Sequence, residues 1–253
     1  MAAPNILRLM YRNIVVNTDP GSILILVGLP GLYLVFFGFG FGSLVSSSTS
    51  SYLSYLTPGI MSFQAVMAGT VGGSVLWSDR RWGMLAQLLV GPFTRLQYLL
   101  GIMLTSMIFG LGGSLVMLGG AFLLLGSLPI TLFGAAIMFG SILLGSIFFG
   151  SLMLFISALV KSNNAYNSIQ ILILFVVNFA STVFYPLSPS LPVGIKALFE
   201  ANPLTYIADA VRGAYFGTLT TTDGYQMSVL CVETVVILAL AVRAYMRSDV
   251  SFE

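Results

Sequence analysis

Between Asp19 and Asp79 the chain carries no charged residue, and between Arg95 and Lys161 it carries none either, leaving neutral runs of 59 and 65 residues. Charged side chains belong at the surface of a soluble domain, so runs of this length have to meet lipid instead. A membrane-crossing helix needs about 20 predominantly apolar residues for a hydrocarbon layer roughly 30 Å thick. Each run therefore holds two crossings and the turn between them. Composition agrees: 7% of the residues are charged, against about 25% in soluble domains.

The same composition excludes several function classes. The ten basic residues are scattered and form no dense patch able to track a phosphate backbone, so no nucleic-acid partner is expected. One cysteine, Cys231, and no histidine exclude an internal disulfide, a Cys-x-x-Cys pair and a His-based metal centre. No paired intramembrane carboxylates are present for acid–base work, which disfavours an intramembrane enzyme. The lysines, Lys161 and Lys196, lack the glycines of a Gly-x-x-x-x-Gly-Lys-[Ser/Thr] phosphate loop, so the chain holds no nucleotide cofactor of its own.

The Ser/Thr cluster at 46–51 divides the first run into spans at 23–45 and 53–77, and Gly126-Ser127-Leu128-Pro129 divides the second into 98–125 and 130–159. A fifth span at 168–185 stops at a proline-rich stretch, and a sixth covers 227–242. The first span is too long and begins too late for a signal peptide. The expected fold is thus an all-α polytopic membrane protein with six transmembrane helices in one domain over 1–253. Six crossings place both termini together with Arg8, Arg12, Arg80, Arg81, Arg95, Lys161, Arg243 and Arg247, leaving Lys196 and Arg212 opposite. By the positive-inside rule the richer side is cytoplasmic.

Three segments outside the spans carry patterns. Within 1–20, Arg8 and Arg12 at i, i+4 beside Leu7, Met10, Tyr11 and Ile14 suit a helix lying along the inner leaflet. In the loop at 77–95, Met84, Leu85, Leu88 and Leu89 form one apolar stripe of a short helix that Pro92 ends, with Arg95 anchoring the next span. That stripe suits either lipid headgroups or a protein surface. In 186–225, 193–199 spans about two helical turns, and Asn202-Pro203 then supplies an N-cap and a first-turn proline. Leu204, Ile207, Ala208, Val211 and Tyr215 line one face of this second short helix, Asp209 and Arg212 pair at i, i+3, and Gly217 ends it. Both short helices suit either a surface cap or a pair that dips back into the bilayer.

The loop resembles the one before the third span in type-2 ABC exporter permeases, commonly Arg-x-x-Gly-Thr-Leu-Glu-x-Leu-Leu followed by proline and a basic residue. The matching positions are Arg80, Gly83, Leu85, Leu88, Leu89, Pro92 and Arg95, with Met84 in place of Thr and Ala86 in place of Glu. Asn202, Pro203, Leu204, Thr205, Asp209 and Arg212 likewise resemble the Asn-Pro-Leu-Thr-x-x-x-Asp-x-x-Arg signature before the last span of that family. The resemblance covers nearly the whole chain and is nearest to drug, lipid and polysaccharide exporters. It implies that the loop is a coupling helix docking into a partner ATPase, with Arg80 and Arg81 at its start. It also implies that 186–225 forms re-entrant helices near the exit, where Asp209 and Arg212 hold the shape of a gate.

Candidates for a transport route are less sharply marked. Tyr33, Phe36, Phe37 and Phe41 recur at helical spacing and offer stacking surface to a cargo, or else ordinary packing. Glu233 lies within the sixth span, where an ionised group costs at least about 2.5 kcal/mol unless paired, wet or near an interface. It is expected to face the bundle or the outer headgroups. Gln64 and Asn178 suit interhelical hydrogen bonds, and Gly38 with Gly42 and Gly69 with Gly73 suit close helix approach.

The resemblance implies a permease subunit of a bacterial inner-membrane exporter carrying an amphipathic drug or lipid-like substrate. It would pair with a second permease protomer, identical or not, and with two ABC ATPases that bind the ATP and Mg. A polysaccharide or glycolipid exporter is the nearest alternative. A secondary transporter coupled to ions through Glu233 is another, and it would need no ATPase.

Overall fold

The structure, a computed structural model, describes residues 2–45, 49–188 and 190–249. The regular elements among these are helical. They are α1 (Ala2–Val16), α2 (Pro20–Ile23), α3 (Leu29–Val45), α4 (Thr49–Arg81), α5 (Met84–Val90), α6 (Arg95–Leu125), α7 (Leu132–Leu159), α8 (Asn163–Phe179), α9 (Val193–Glu200), α10 (Pro203–Phe216) and α11 (Thr221–Arg247). A π-helical turn, Leu24–Gly28, joins α2 to α3 without a break. Pro30, two residues beyond its end, has no N–H to give the carbonyl of Leu26, and a widened turn absorbs that loss. Of the Ser/Thr cluster expected to separate the first two spans, 46–48 lie outside the described residues and 49–51 already belong to α4.

Among the described residues, five stretches are long and apolar enough to cross a membrane: Pro20–Gly42, Tyr52–Arg81, Arg95–Leu125, Leu132–Leu159 and Thr221–Arg247. They correspond to all the expected spans but the fifth. There, α8 has only 17 residues, about 25 Å at 1.5 Å per residue, and 180–185 follow as a turn and bends rather than helix. Helix and bends together still run beside most of α4, from the Trp77–Tyr166 ring stack at 5.7 Å to the bond from Tyr52 Oη to Phe184 O at 2.8 Å.

The helix ends early because other side chains take its carbonyls. Asn202 Nδ2 donates to Val177 O and Ala180 O, both at 2.7 Å. Thr182 O accepts from Tyr55 Oη at 3.0 Å and from Arg212 Nη2 at 2.8 Å. Irregular backbone survives in an apolar surrounding only when protein satisfies it in this way.

At the centre stands α4, flanked by α6 and α7, with α3 also against it, α11 on α7 and α1 along α6. The approach of α4 to α7 needs Gly69 and Gly73. A Cβ at Gly69 would lie 2.6 Å from the Phe149 backbone, and one at Gly73 2.7 Å from Met153 Cβ. This small-residue pair therefore works within the subunit, and Gly38 likewise faces Leu53 of α4.

The second short helix of 186–225 does not cap the surface. Leu204, Ile207, Ala208, Val211 and Tyr215 of α10 are all buried. Ile207 fills the space left by Gly145, halfway along α7, and the Ala214 backbone meets Gly134 near the start of α7. The chain thus dips deep beside α7 before α10 climbs back to the end where α7 begins.

Candidate functional site

One end of the bundle is held together by arginines. Arg12 of α1 meets the Asp79 carboxylate of α4 at 2.5 Å, and Tyr98 Oη of α6 donates to the same carboxylate at 2.6 Å. The hydrogen bond with Asp79 raises the pKa of Arg12 against the opposing cost of burial, so this cation stays charged. Arg12 is therefore directed into the subunit rather than at headgroups, while Arg8 on the same helix is exposed.

Arg80, expected at the start of a docking helix, is 1% exposed. Its Nη1 donates to Ser157 O at 2.7 Å and Ala158 O at 3.2 Å, and its Nε to Asp249 O at 3.1 Å. A cation placed on the last carbonyls of α7 satisfies groups that the helix itself leaves open. Arg95 does the same for α11, with Nη1 donating to Tyr245 O, Met246 O and Ser248 O at 3.1 to 3.2 Å. The ends of α4, α6, α7 and α11 are thereby tied into one frame.

Beside this frame lies α5. Gly83, at φ 69°, makes the sharp turn from α4 that a side chain would disfavour. Leu85 is buried, and Leu88, Leu89 and Phe93 pack with it on Leu76, Tyr98, Leu99 and Leu154. The apolar stripe read from the sequence thus faces mainly inward. Of its four members only Met84 is exposed, at 38%, and the outward surface is completed by Trp82 at 72%, Gln87 and Val90 at 90%. Arg81 stacks on the indoles of Trp77 and Trp82, 5.3 and 5.1 Å from the ring centres. Pro92 is exposed, and its carbonyl accepts from Asn5 Nδ2 at 3.0 Å. Val90 escaped the sequence reading because it is out of phase with the stripe, and Trp82 because it precedes the Gly83 turn and so lies outside α5. A large apolar residue on the polar phase was the available signal for Val90.

At the opposite end the signature residues converge on the bends after α8. Asn202 Oδ1 caps α10 through Leu204 N at 3.0 Å, and Pro203 occupies its first turn. Thr182 Oγ1 and Arg212 Nη1 both donate to Asp209 Oδ1, at 2.7 and 2.9 Å. The Arg212 guanidinium lies 4.0 Å over the Tyr55 ring. Burial pushes the Asp209 carboxyl above its ordinary range, with those donors opposing it. Thr205 is buried in the same helix.

The aromatic residues of the first span separate. Tyr33 and Phe37 pack on Phe184, at 5.4 and 4.7 Å between ring centres, and Phe41 stacks on Phe37 at 5.2 Å. Phe36 points away and is exposed. Glu233 is half-buried, and its Oε2 has no hydrogen-bond partner among the described residues. Gln64 is fully buried between helices, beside Gly113.

A bundle of long apolar helices with one dipping helix and an arginine-tied end defines a polytopic α-helical membrane protein. Its family follows from comparison: residues 5–216 match the ABC-2 type transporter family, most of the chain, and the chain belongs to that family. It is accordingly the membrane-embedded permease component of an ABC transporter rather than its ATPase. A comparison with curated proteins found no match.

Proposed function

We propose that this permease exports an amphipathic, drug- or lipid-like substrate outward across the bacterial plasma membrane. Two such protomers enclose the route, and two ATPase subunits, which bind the ATP and Mg, dock at the arginine-tied end. That end, with both termini, faces the cytoplasm, in keeping with its excess of basic residues. The observation that carries the reading is the outward face of α5. Trp82, Met84, Gln87 and Val90 stand clear of the bundle while Leu85 and Leu88 fix the same helix to the core. A push on that face therefore reaches α4 and α6 directly. Phe36 and Phe41, exposed on the first span, offer stacking surface suited to an amphipathic cargo.

Val90→Asp is expected to leave the subunit folded in the membrane but to abolish copurification with its ATPase and the ATPase stimulation. Leu88→Asp, on the packed side, is expected to lower the yield of folded subunit as well. Undiminished ATPase stimulation in Val90→Asp would remove α5 as the coupling element. Transport by the chain alone in liposomes, without nucleotide, would instead favour ion coupling through Glu233.

A further inference from the structure

Between the end of α7 and the last two turns of α11 lies a cleft of about 380 Å³. Lys161, Arg243 and Arg247 stand around it, Arg80 forms part of its wall, and Phe155, Leu159 and Leu240 supply apolar lining. Among the described residues that line it, the one carboxylate, Asp249, sits 3.5 Å from Lys161 in a pair exposed on both sides, and such pairs contribute little. Among the described residues, Arg243 and Arg247 have no acidic partner. Among the described residues the cleft therefore carries a surplus of positive charge.

The surface leading away from the cleft says what kind of molecule fits. Val232, Val236 and Leu240 recur every four residues on α11 and are all exposed, and on the same helical face Arg243 and Arg247 follow them. One face of α11 thus runs apolar for two turns and then basic at the end of the bundle. Only 17% of the most apolar window of α11 is buried within the subunit. An acyl chain matches the first part and a phosphate headgroup the second. Lysine and arginine in a pocket between helices at the membrane surface attract anionic lipid in this manner.

We propose that the cleft between α7 and α11 binds the phosphate headgroup of an anionic phospholipid, with its acyl chain along Val232, Val236 and Leu240. The bound lipid would hold the ends of α7 and α11 together from outside, as Arg80 and Arg95 do from within. The leaflet concerned is the cytoplasmic one if the orientation proposed above holds, but headgroup selectivity is independent of orientation and of any ATPase.

The test is native mass spectrometry of the detergent-purified chain incubated with phosphatidylglycerol, phosphatidylcholine or inorganic phosphate. Phosphatidylglycerol is expected to be retained over phosphatidylcholine. The double variant Arg243→Gln/Arg247→Gln should lower that retention roughly tenfold or more, while Arg8→Gln, exposed at the same end but outside the cleft, leaves it unchanged. Val236→Asp, which keeps both arginines, should weaken phosphatidylglycerol without creating phosphate binding. Equal retention of both lipids, an unaffected double variant, or retention of inorganic phosphate as strong as that of phosphatidylglycerol would each overturn the assignment.

Discussion

Two neighbouring arginines at the end of α4 have opposite tasks. Arg81 lies outside against two tryptophans, whereas Arg80 is buried on the carbonyls that close α7. Arg80→Ala leaves those carbonyls without a charged donor, at a cost on the order of 3 kcal/mol. We expect its unfolding midpoint in detergent to fall well below that of Arg81→Ala, which should unfold as the parent does. Equal midpoints would show that Arg80 is not a structural tie. Asp209 gives a second test at this scale, because burial raises its pKa. A carboxyl with a raised folded-state pKa adds stability below the ordinary aspartate range near pH 4, and that stability is lost as pH rises through the folded value. The midpoint is therefore expected to decline as pH rises above that range. Asp209→Asn, which keeps an acceptor for Thr182 and Arg212, should flatten the decline. Parallel curves for parent and variant would rule burial of Asp209 out as its source.

Among the elements, the end of α8 depends on a residue 23 positions further on. Asn202 caps α10 with its oxygen and holds Val177 O and Ala180 O with its nitrogen. Aspartate caps a helix about as well as asparagine but has no amide nitrogen to donate. Asn202→Asp thus isolates the second task, and a loss of about 2 to 3 kcal/mol is expected, read as a lower unfolding midpoint with faster amide exchange over 177–185. An unchanged midpoint would mean that the bends do not need Asn202. This contact also marks what the sequence could and could not convey. Long apolar helices such as α6 and α7 were legible because lipid imposes length and composition on each of them separately. The N-cap at Asn202 and the turn at Gly217 were legible because capping is local. The break at Phe179 was not, since the donors that replace helical hydrogen bonds come from α4 and α10. Nor was the direction of the α5 stripe, because periodicity defines a face without saying what covers it. The role of Arg80 was hidden for the same reason: its acceptors lie on α7 and beyond α11.

For the molecule as a whole, the number of crossings turns on the segment from 163 to 185. Among the described residues five stretches are long and apolar enough by themselves, and an odd number of crossings would put the two ends of the chain on opposite sides. The frame at the basic end speaks against that, since α1 is tied there to Asp79 and the end of α11 to Arg95. We propose that α8 and its bends carry the chain across the bundle between α7 and α9, a path that fits both ties and runs past the Trp77–Tyr166 and Tyr52–Phe184 contacts. The expectation can be read in whole cells. In a Cys231→Ser background, single cysteines at Gln87, Ser127, Ser162 and Val193 sample successive loops at exposed positions. A membrane-impermeant maleimide should label Ser127→Cys and Val193→Cys from outside and spare Gln87→Cys and Ser162→Cys until the cells are opened. Labelling of Val193→Cys only after opening, together with Ser162→Cys, would mean that the short helix and its bends return without crossing. It would also separate the basic end of α11 from the loop that holds α5.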